Sequence, residues 1–454
     1  MSLFRLSQAA QWLSARQVGG DLDIQSVGSD SRRMAPGQLF VALTGPHFDG
    51  HAFAPQAVAG GALALLVSRE LPLAVPQLVV PDTRDALGRL AAAWRRQLSA
   101  QVVAVTGSNG KTTTKEMLAA LLGQVGRVAA TQGNLNNDIG LPLTLLSARD
   151  QDFLILEMGA NHPGEIAYLT DIARPDLALI TNAGRAHLEG FGSLEGVVRA
   201  KGEILGGLAP DGWFVLNQDD AGAAHWRELA GGRRLMSFGL GPGADVSARP
   251  GPDQPRPDGT GFEGRHRIST PRGQFDLTLA LPGRHNLMNA LACIAVGEAL
   301  GLSHQAMADG LARVRPVAGR LQWRPARSGA GLIDDSYNAN PDSLDAALQV
   351  LGGLSGRRWL VLGDLAELGP GAVDLHRQLG QGARDAGLDR LWAVGPLSRA
   401  AVAAFGPGGE HFEAQGDLIQ SLESALTADD WVLVKGSRSS AMDRVVRALA
   451  VEGD

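Results

Sequence analysis

The chain has 454 residues, 44% apolar and 19% charged, a globular composition too long for one ordinary core. Its 41 Lys and Arg against 47 Asp and Glu leave a net charge of −6, which argues against a protein that wraps nucleic acid. A single cysteine, Cys293, excludes a disulfide framework and a cysteine zinc site. The N-terminus lacks a signal-peptide pattern, and no apolar run is long enough for a membrane span. A cytoplasmic protein is the expectation.

Residues 1–82 read as a small α/β domain, with a helix over Ser7–Leu13 and strands over Leu39–Leu43, Leu63–Val67 and Gln77–Val80. Two polar loops there carry Ser31 and Arg32, then Asp49, Gly50 and His51, residue types able to hold a diphosphate or carboxylate. An Ala- and Arg-rich helix over Thr83–Leu98 reads as the linker into a central domain spanning 83–313.

That domain opens with VVAVTGSNGKTTTKE. Val102–Val105 is a buried strand, Gly107, Ser108, Asn109 and Gly110 form a sharp turn, and Lys111, Thr112 and Thr113 open a helix running to Leu122. Strand, glycine turn and helix in that order make a phosphate-binding loop. Backbone N–H groups and the helix start attract an anion, Lys111 reaches the outer phosphates, and the Thr112 hydroxyl reaches a magnesium ion. The longer form of the motif has glycine where this chain has Val105.

Strands over Phe153–Leu156, Leu177–Ile180 and Trp213–Leu216 alternate with helices and predict a mostly parallel sheet covered on both faces. Ligands then sit beyond the carboxyl ends of the strands. Glu157 closes one strand and is placed to hold magnesium. His187, after another, is a candidate ligand for a second metal ion, and Asn134, Asn136 and Asn137 form a candidate ligand-reading loop. Spacing gives Lys201 no role beyond that of a salt-bridge partner. Residues 237–262 are rich in Gly and Pro and read as loop or hairpin without chemistry. Phe275–Leu281 is a strand and Asn286–Leu300 a helix, with Asn289 placed to read a purine edge.

A third, Rossmann-like α/β domain spans 314–454, with strands at Leu332–Ile333, Trp359–Leu362, Leu391–Val394 and Trp431–Val434 and a helix over Ser343–Leu351. Arg320 is placed to reach phosphates across the cleft, Asp335 to accept ribose hydroxyls, and Lys435 and Arg438 to bind a carboxylate.

The strings GSNGKTTTKE, TQGNLNNDIGLP, LEMGANHPGEI, TNAGRAHLEGFGS, AKGEI, GRHNLMNALA and DDSYNANPDS, in this order, resemble those of the Mur ligases, the ATP-dependent amide-bond ligases of peptidoglycan precursor synthesis. LGDLAELG and the N-terminal DSR, PGQLF and DGH segments are similar to the branch that adds the D-Ala-D-Ala dipeptide; the DNPR-type string of the diaminopimelate-adding branch is missing. The resemblance implies three α/β domains: the first for the UDP-sugar end of UDP-MurNAc-tripeptide, the second for ATP, and the third closing over the nucleotide and binding the dipeptide. It implies Mg2+, with two ions held by Thr112, Glu157, His187 and Lys201, the lysine in an N-carboxylated form. It places Lys111, Glu157, His187 and Lys201 in catalysis, Asn289, Arg320 and Asp335 around the nucleotide, and Asn338, Asn340, Ser343, Lys435 and Arg438 near the substrate. A bacterial cytoplasmic monomer that binds no nucleic acid is the matching expectation.

Overall fold

The computed structural model describes residues 2–256 and 261–451. Three α/β bodies follow one another along the chain. The first sheet runs Arg16–Val18, Gln77–Val79, Ala62–Val67, Gln38–Val41, Ser26–Gly28, parallel except for its first strand. The central sheet is parallel throughout, in the order Val128–Ala130, Phe153–Glu157, Gln101–Thr106, Leu177–Ile180, Trp213–Asn217, Arg234–Phe238. The third runs Gln322–Pro325, Gly331–Asp335, Asp430–Lys435, Arg357–Gly363, Arg390–Val394, Gly409–Phe412, with an antiparallel first strand.

The central strands are apolar because both faces are covered. Successive side chains alternate, so Val102 and Ala104 enter one core and Val103 and Val105 the other. The second core is closed by the helices Lys111–Leu122 and Arg284–Ala299, and Cys293 is buried in it. Since every central strand runs the same way, Thr106, Glu157 and Asn217 end along one edge, where the phosphate loop also lies.

Two expectations change. The helix Thr83–Arg95 is more than a linker: Leu87 and Leu90 lie in one continuous core with Leu39 and Leu66 of the first sheet and Leu154 and Leu156 of the central one. A joint packed this way is rigid, because opening it exposes apolar surface. The stretch 237–262, expected to be loop or hairpin, contributes strands Ser247–Arg249 and Asp253–Pro255 to an antiparallel sheet with Phe262–Thr270 and Gly273–Leu279; its residues 257–260 lie outside the described residues. Glycine and proline masked short strands that pair locally by hairpin. Phe262 from this sheet enters the core of the third body, its ring 6.0 Å from that of Trp431.

Among the described residues no helix is long and apolar enough to cross a membrane.

Candidate active site

The turn after Gln101–Thr106 is built by its neighbour. Ser108 N–H donates to the Asn182 carbonyl (3.0 Å), Asn109 N–H donates to Asn182 Oδ1 (2.9 Å), and the Thr181 hydroxyl donates to the Asn109 carbonyl (2.7 Å). Glycine is required at both ends. Gly107 has φ +150° and a Cβ there would stand 1.9 Å from Thr181 Oγ1; Gly110 has φ +80° and a Cβ would stand 2.3 Å from Asn289 Oδ1. This corrects the expected cradle, because the N–H groups of Ser108 and Asn109 are spent inside the protein. The anion seat narrows to Gly110 and the first turn of Lys111–Leu122, whose N–H groups have no intrahelical partner. Lys111 curls over this seat, donating to the carbonyls of Gly107 (2.7 Å) and Ser108 (3.2 Å). Burial pushes its ammonium below the ordinary lysine value, against the pull of Glu157.

Glu157 is buried at the end of the adjacent strand. Its Oε1 accepts from Asn136 Nδ2 (2.8 Å), while Oε2 is buried with no hydrogen-bond partner among the described residues. An orphaned carboxylate oxygen in the cavity that Thr112 and Lys111 also line suits a hard cation such as magnesium, with phosphate oxygens and water completing its shell. His187 lines the same cavity, and a carboxylate beside one ring nitrogen is the usual company of a ligating imidazole. Its Nδ1 stands 2.5 Å from Glu367 Oε2 of the third body, off the hydrogen-bonding direction. Both residues have left-handed backbone, φ +54° and +60°. Burial holds the imidazole below its usual pKa despite Glu367. Among the described residues no three His, Cys, Asp or Glu side chains gather as a metal cluster. Lys201 is almost wholly buried, its ammonium 5.3 Å from the Phe191 ring centre. Burial first, then the charge of Lys111, lowers its pKa to about 7.

The third body closes this edge into a cavity of ≈ 1220 Å³, with Lys111, Glu157, His187, Asn289, Arg320 and Asp335 on its wall. Several bonds cross between the bodies. Arg320 Nη2 donates to Thr112 Oγ1 (3.2 Å) and Asn340 Nδ2 to Asn109 Oδ1 (2.7 Å). Arg185, after the central strand Leu177–Ile180, donates from N–H and Nε to Asp342 (2.5 and 2.6 Å) and from Nη2 to Asp345 (2.8 Å). Neither Arg185 nor its partners follows from local pattern, because the pairings span 157 and 160 residues; Arg185 and Asp342 were signalled only by membership of the strings TNAGRAHLEGFGS and DDSYNANPDS, and Asp345 by neither. Gly184 lets Asp342 approach, since a Cβ there would stand 2.4 Å from Asp342 Oδ2. Gly184→Ala is expected to hold the bodies apart and to lower turnover about tenfold or more, the equivalent of one charge-assisted hydrogen bond. Small-angle scattering with saturating nucleotide should show a more expanded variant with an unchanged melting temperature.

Other candidates are bonded within the scaffold, several of them on the cavity wall. His51 is buried, with Nδ1 2.6 Å from Asp49 Oδ1 and Nε2 accepting from Ser68 N–H (2.8 Å), so its ring has no nitrogen left for a ligand. Asp49 also pairs with Arg69 (2.7 Å), and Gly50 is pressed against the Leu43 backbone. Ser31 bonds Gln56 and Arg32 pairs with Asp30, both on the surface. Asn136 orients Glu157, and Asn137 Oδ1 accepts Gly140 N–H (2.9 Å); both line the cavity together with Asn134. Asn340 and Ser343 form a capping box at the start of Pro341–Gly352, and Asn338 Oδ1 accepts its neighbour's N–H, Ala339 (2.9 Å). Asp335 and Lys435 are bonded to each other (2.5 Å), and Arg438 lies over the Tyr337 ring (5.5 Å). Asn289 packs against Gly110 on the cavity wall.

A phosphate seat, an orphaned carboxylate and an arginine arriving from another body are the parts of a nucleotide-dependent group-transfer site. The chain matches the models of the families described as Mur ligase family, catalytic domain (residues 23–95), Mur ligase middle domain (105–297) and Mur ligase, glutamate ligase domain (319–438). It is 47% identical, over 99% of its length and 98% of the relative's, to the UDP-N-acetylmuramoyl-tripeptide--D-alanyl-D-alanine ligase of Escherichia coli (strain K12). Among solved structures it is similar to MurF of Acinetobacter baumannii (TM-score 0.90, 37% identity, 97% of each chain) and to MurF ligase of Thermotoga maritima in complex with ADP (TM-score 0.82, 28% identity, 93% of this chain and 96% of that one). Three successive domain families matched in order, with a relative 47% identical over 99% of the chain, leave a single assignment: the chain belongs to the Mur ligase family.

Proposed function

We propose that the chain joins D-Ala-D-Ala to the terminal carboxylate of UDP-MurNAc-tripeptide at the expense of ATP, releasing ADP and phosphate in peptidoglycan precursor synthesis. The observation that carries this reading is the cross-body contact of Arg320 with Thr112 above the Lys111 seat, in a cavity large enough for more than one ligand. The full-length likeness to the E. coli enzyme supports the choice of substrates. The reading divides the chain at 1–82, 83–313 and 314–454, with Ser31 and Arg32 of the first domain, surface groups that would exchange their bonds to Gln56 and Asp30, meeting the UDP end.

A carboxylate is a poor acylating agent, because its leaving group would be oxide. In the proposed sequence the tripeptide carboxylate oxygen attacks the γ-phosphorus of ATP, the bond to the bridging oxygen breaks, and an acyl phosphate forms with ADP as leaving group. The Gly110–Thr113 seat, Lys111 and Arg320 meet the charge that develops on the phosphoryl oxygens. The dipeptide amine then attacks the acyl carbon, loses a proton, and phosphate departs from the tetrahedral adduct. Magnesium, held by Glu157 Oε2 and the Thr112 hydroxyl, would supply charge neutralisation of the phosphates. Closure of the third body keeps water from the acyl phosphate, which hydrolyses readily.

The test is substrate dependence. Phosphate release should require UDP-MurNAc-tripeptide and D-Ala-D-Ala together, and should fail with D-Glu, L-Ala, diaminopimelate or folate-type substrates. ATP hydrolysis that runs equally fast with neither substrate overturns the reading.

A further inference from the structure

Arg320 stands between two residues in left-handed backbone, Gly319 at φ +72° and Leu321 at φ +49°. Glycine takes that conformation freely, whereas a leucine keeps it only where its surroundings impose it. Here the surroundings can be named. Leu321 N–H donates to Asp335 Oδ1 (3.1 Å), and its side chain is buried in the core of the third body. Asp335 Oδ2 accepts from Lys435 Nζ (2.5 Å), which also donates to the Asn338 carbonyl (3.2 Å). Tyr337 N–H donates to the Gly319 carbonyl (3.1 Å). The outcome of these bonds is one direction for one side chain. Arg320 leaves the third body with its guanidinium 4.5 Å from the Tyr337 ring centre and reaches Thr112 Oγ1 of the phosphate loop.

We infer that Asp335, Lys435 and Tyr337 are positioning residues whose shared task is to present Arg320 across the body boundary to the phosphate seat. The inference rests on the reading above, in which ATP phosphates occupy that seat. It replaces direct ligand roles for Asp335 and Lys435. Both carboxylate oxygens of Asp335 are engaged by the protein, and its pair with Lys435 is almost dry, with side-chain exposures of 11% and 2%. A buried pair is costly unless its remaining groups are bonded, and these are, to the backbone that shapes the Arg320 turn. Tyr337 has two guanidiniums beside its ring, those of Arg320 and Arg438 at 5.5 Å, so the ring serves cations rather than a base.

The test is a double-mutant cycle between Tyr337→Leu and Arg320→Ala. It is read both in turnover and in calorimetric affinity for a non-hydrolysable ATP analogue, with melting temperature as a control. Tyr337 is half-buried, and its loss leaves the core of the third body intact. Tyr337→Leu should lower kcat about tenfold, the scale of a partly desolvated cation–π contact, with no change in melting. Tyr337→Phe, which keeps the ring face, should restore most of that loss. In the Arg320→Ala background Tyr337→Leu should cost nothing further, in turnover or in analogue affinity. Equal losses with and without Arg320, or a raised KM for ATP at unchanged kcat, overturn the inference. Asp335→Asn gives an independent arm. A positioning role predicts the same fold-loss with ATP and 2′-deoxy-ATP, and a loss that vanishes with the deoxy nucleotide returns Asp335 to the ribose. Failure of the ligase reading would show separately, as wild-type protein that releases no dipeptide-dependent phosphate, while the affinity cycle still decides the positioning role.

Discussion

Lys111→Ala should lower dipeptide-dependent turnover by a factor on the order of 10³ or more, the scale reached when a preorganised charged donor is removed from a phosphoryl-transfer site. The geometry gives the reason. The ammonium donates to the carbonyls of Gly107 and Ser108 with no carboxylate at ion-pair distance among the described residues, and burial works against its charge. An ATP tail over Gly110–Thr113 supplies the missing counter-charge, and that interaction grows as charge moves onto the transferring phosphoryl oxygens. Turnover should therefore fall further than nucleotide affinity does. The helix Lys111–Leu122 buries its apolar residues elsewhere, in the core with Leu118 and Leu121, so melting should be unchanged or slightly raised by loss of a buried charge. Phosphate release, product formation and ADP affinity measured side by side decide it. Full-speed ligation by the variant would remove the phosphate seat from the mechanism.

The same loop shows what sequence can and cannot carry. Strand, glycine turn and helix were legible because each is a local event: a β-rich apolar run, two positions that exclude a side chain, and a helix start. Where the loop's N–H groups point was not legible, because Asn182 decides it from the neighbouring strand. Asparagines were the least readable residues. Asn136, Asn137 and Asn340 looked like ligand readers, yet one orients a carboxylate and two hold helix starts, since the same carboxamide serves any of these tasks. Glu157 was readable as a strand-ending acid, but its orphaned oxygen is a property of packing. The antiparallel strands around Ser247–Arg249 and Asp253–Pro255 are only three residues each, too short for a period to emerge from a Gly- and Pro-rich background. Charged contacts such as Arg185 with Asp342 arise only when two separately folded bodies meet.

Lys201→Met should raise stability at neutral pH and remove most of the activity. Its ammonium lies against Phe191 with no carboxylate at ion-pair distance among the described residues, and burial lowers its pKa from 10.5 to about 7. Between those two values the unfolded chain holds a proton that the folded chain does not. Folding stability therefore rises with pH across that window, and the full cost, on the order of a few kcal/mol, is present below pH 7. Methionine fills similar space without a charge, so the variant should melt above wild type at pH 6–7, with the gap closing towards pH 10. The cost has a chemical return. An amine half neutral near pH 7 can attack carbon dioxide and lose a proton, becoming a carbamate that adds an anion close to Lys111 and the phosphate seat. Methionine cannot do so, and its turnover should drop about a hundredfold or more. Bicarbonate should then raise the melting temperature of wild type and leave the variant where it is. Wild-type melting indifferent to bicarbonate, together with retained activity in Lys201→Met, would leave this lysine a buried amine with no part in the reaction.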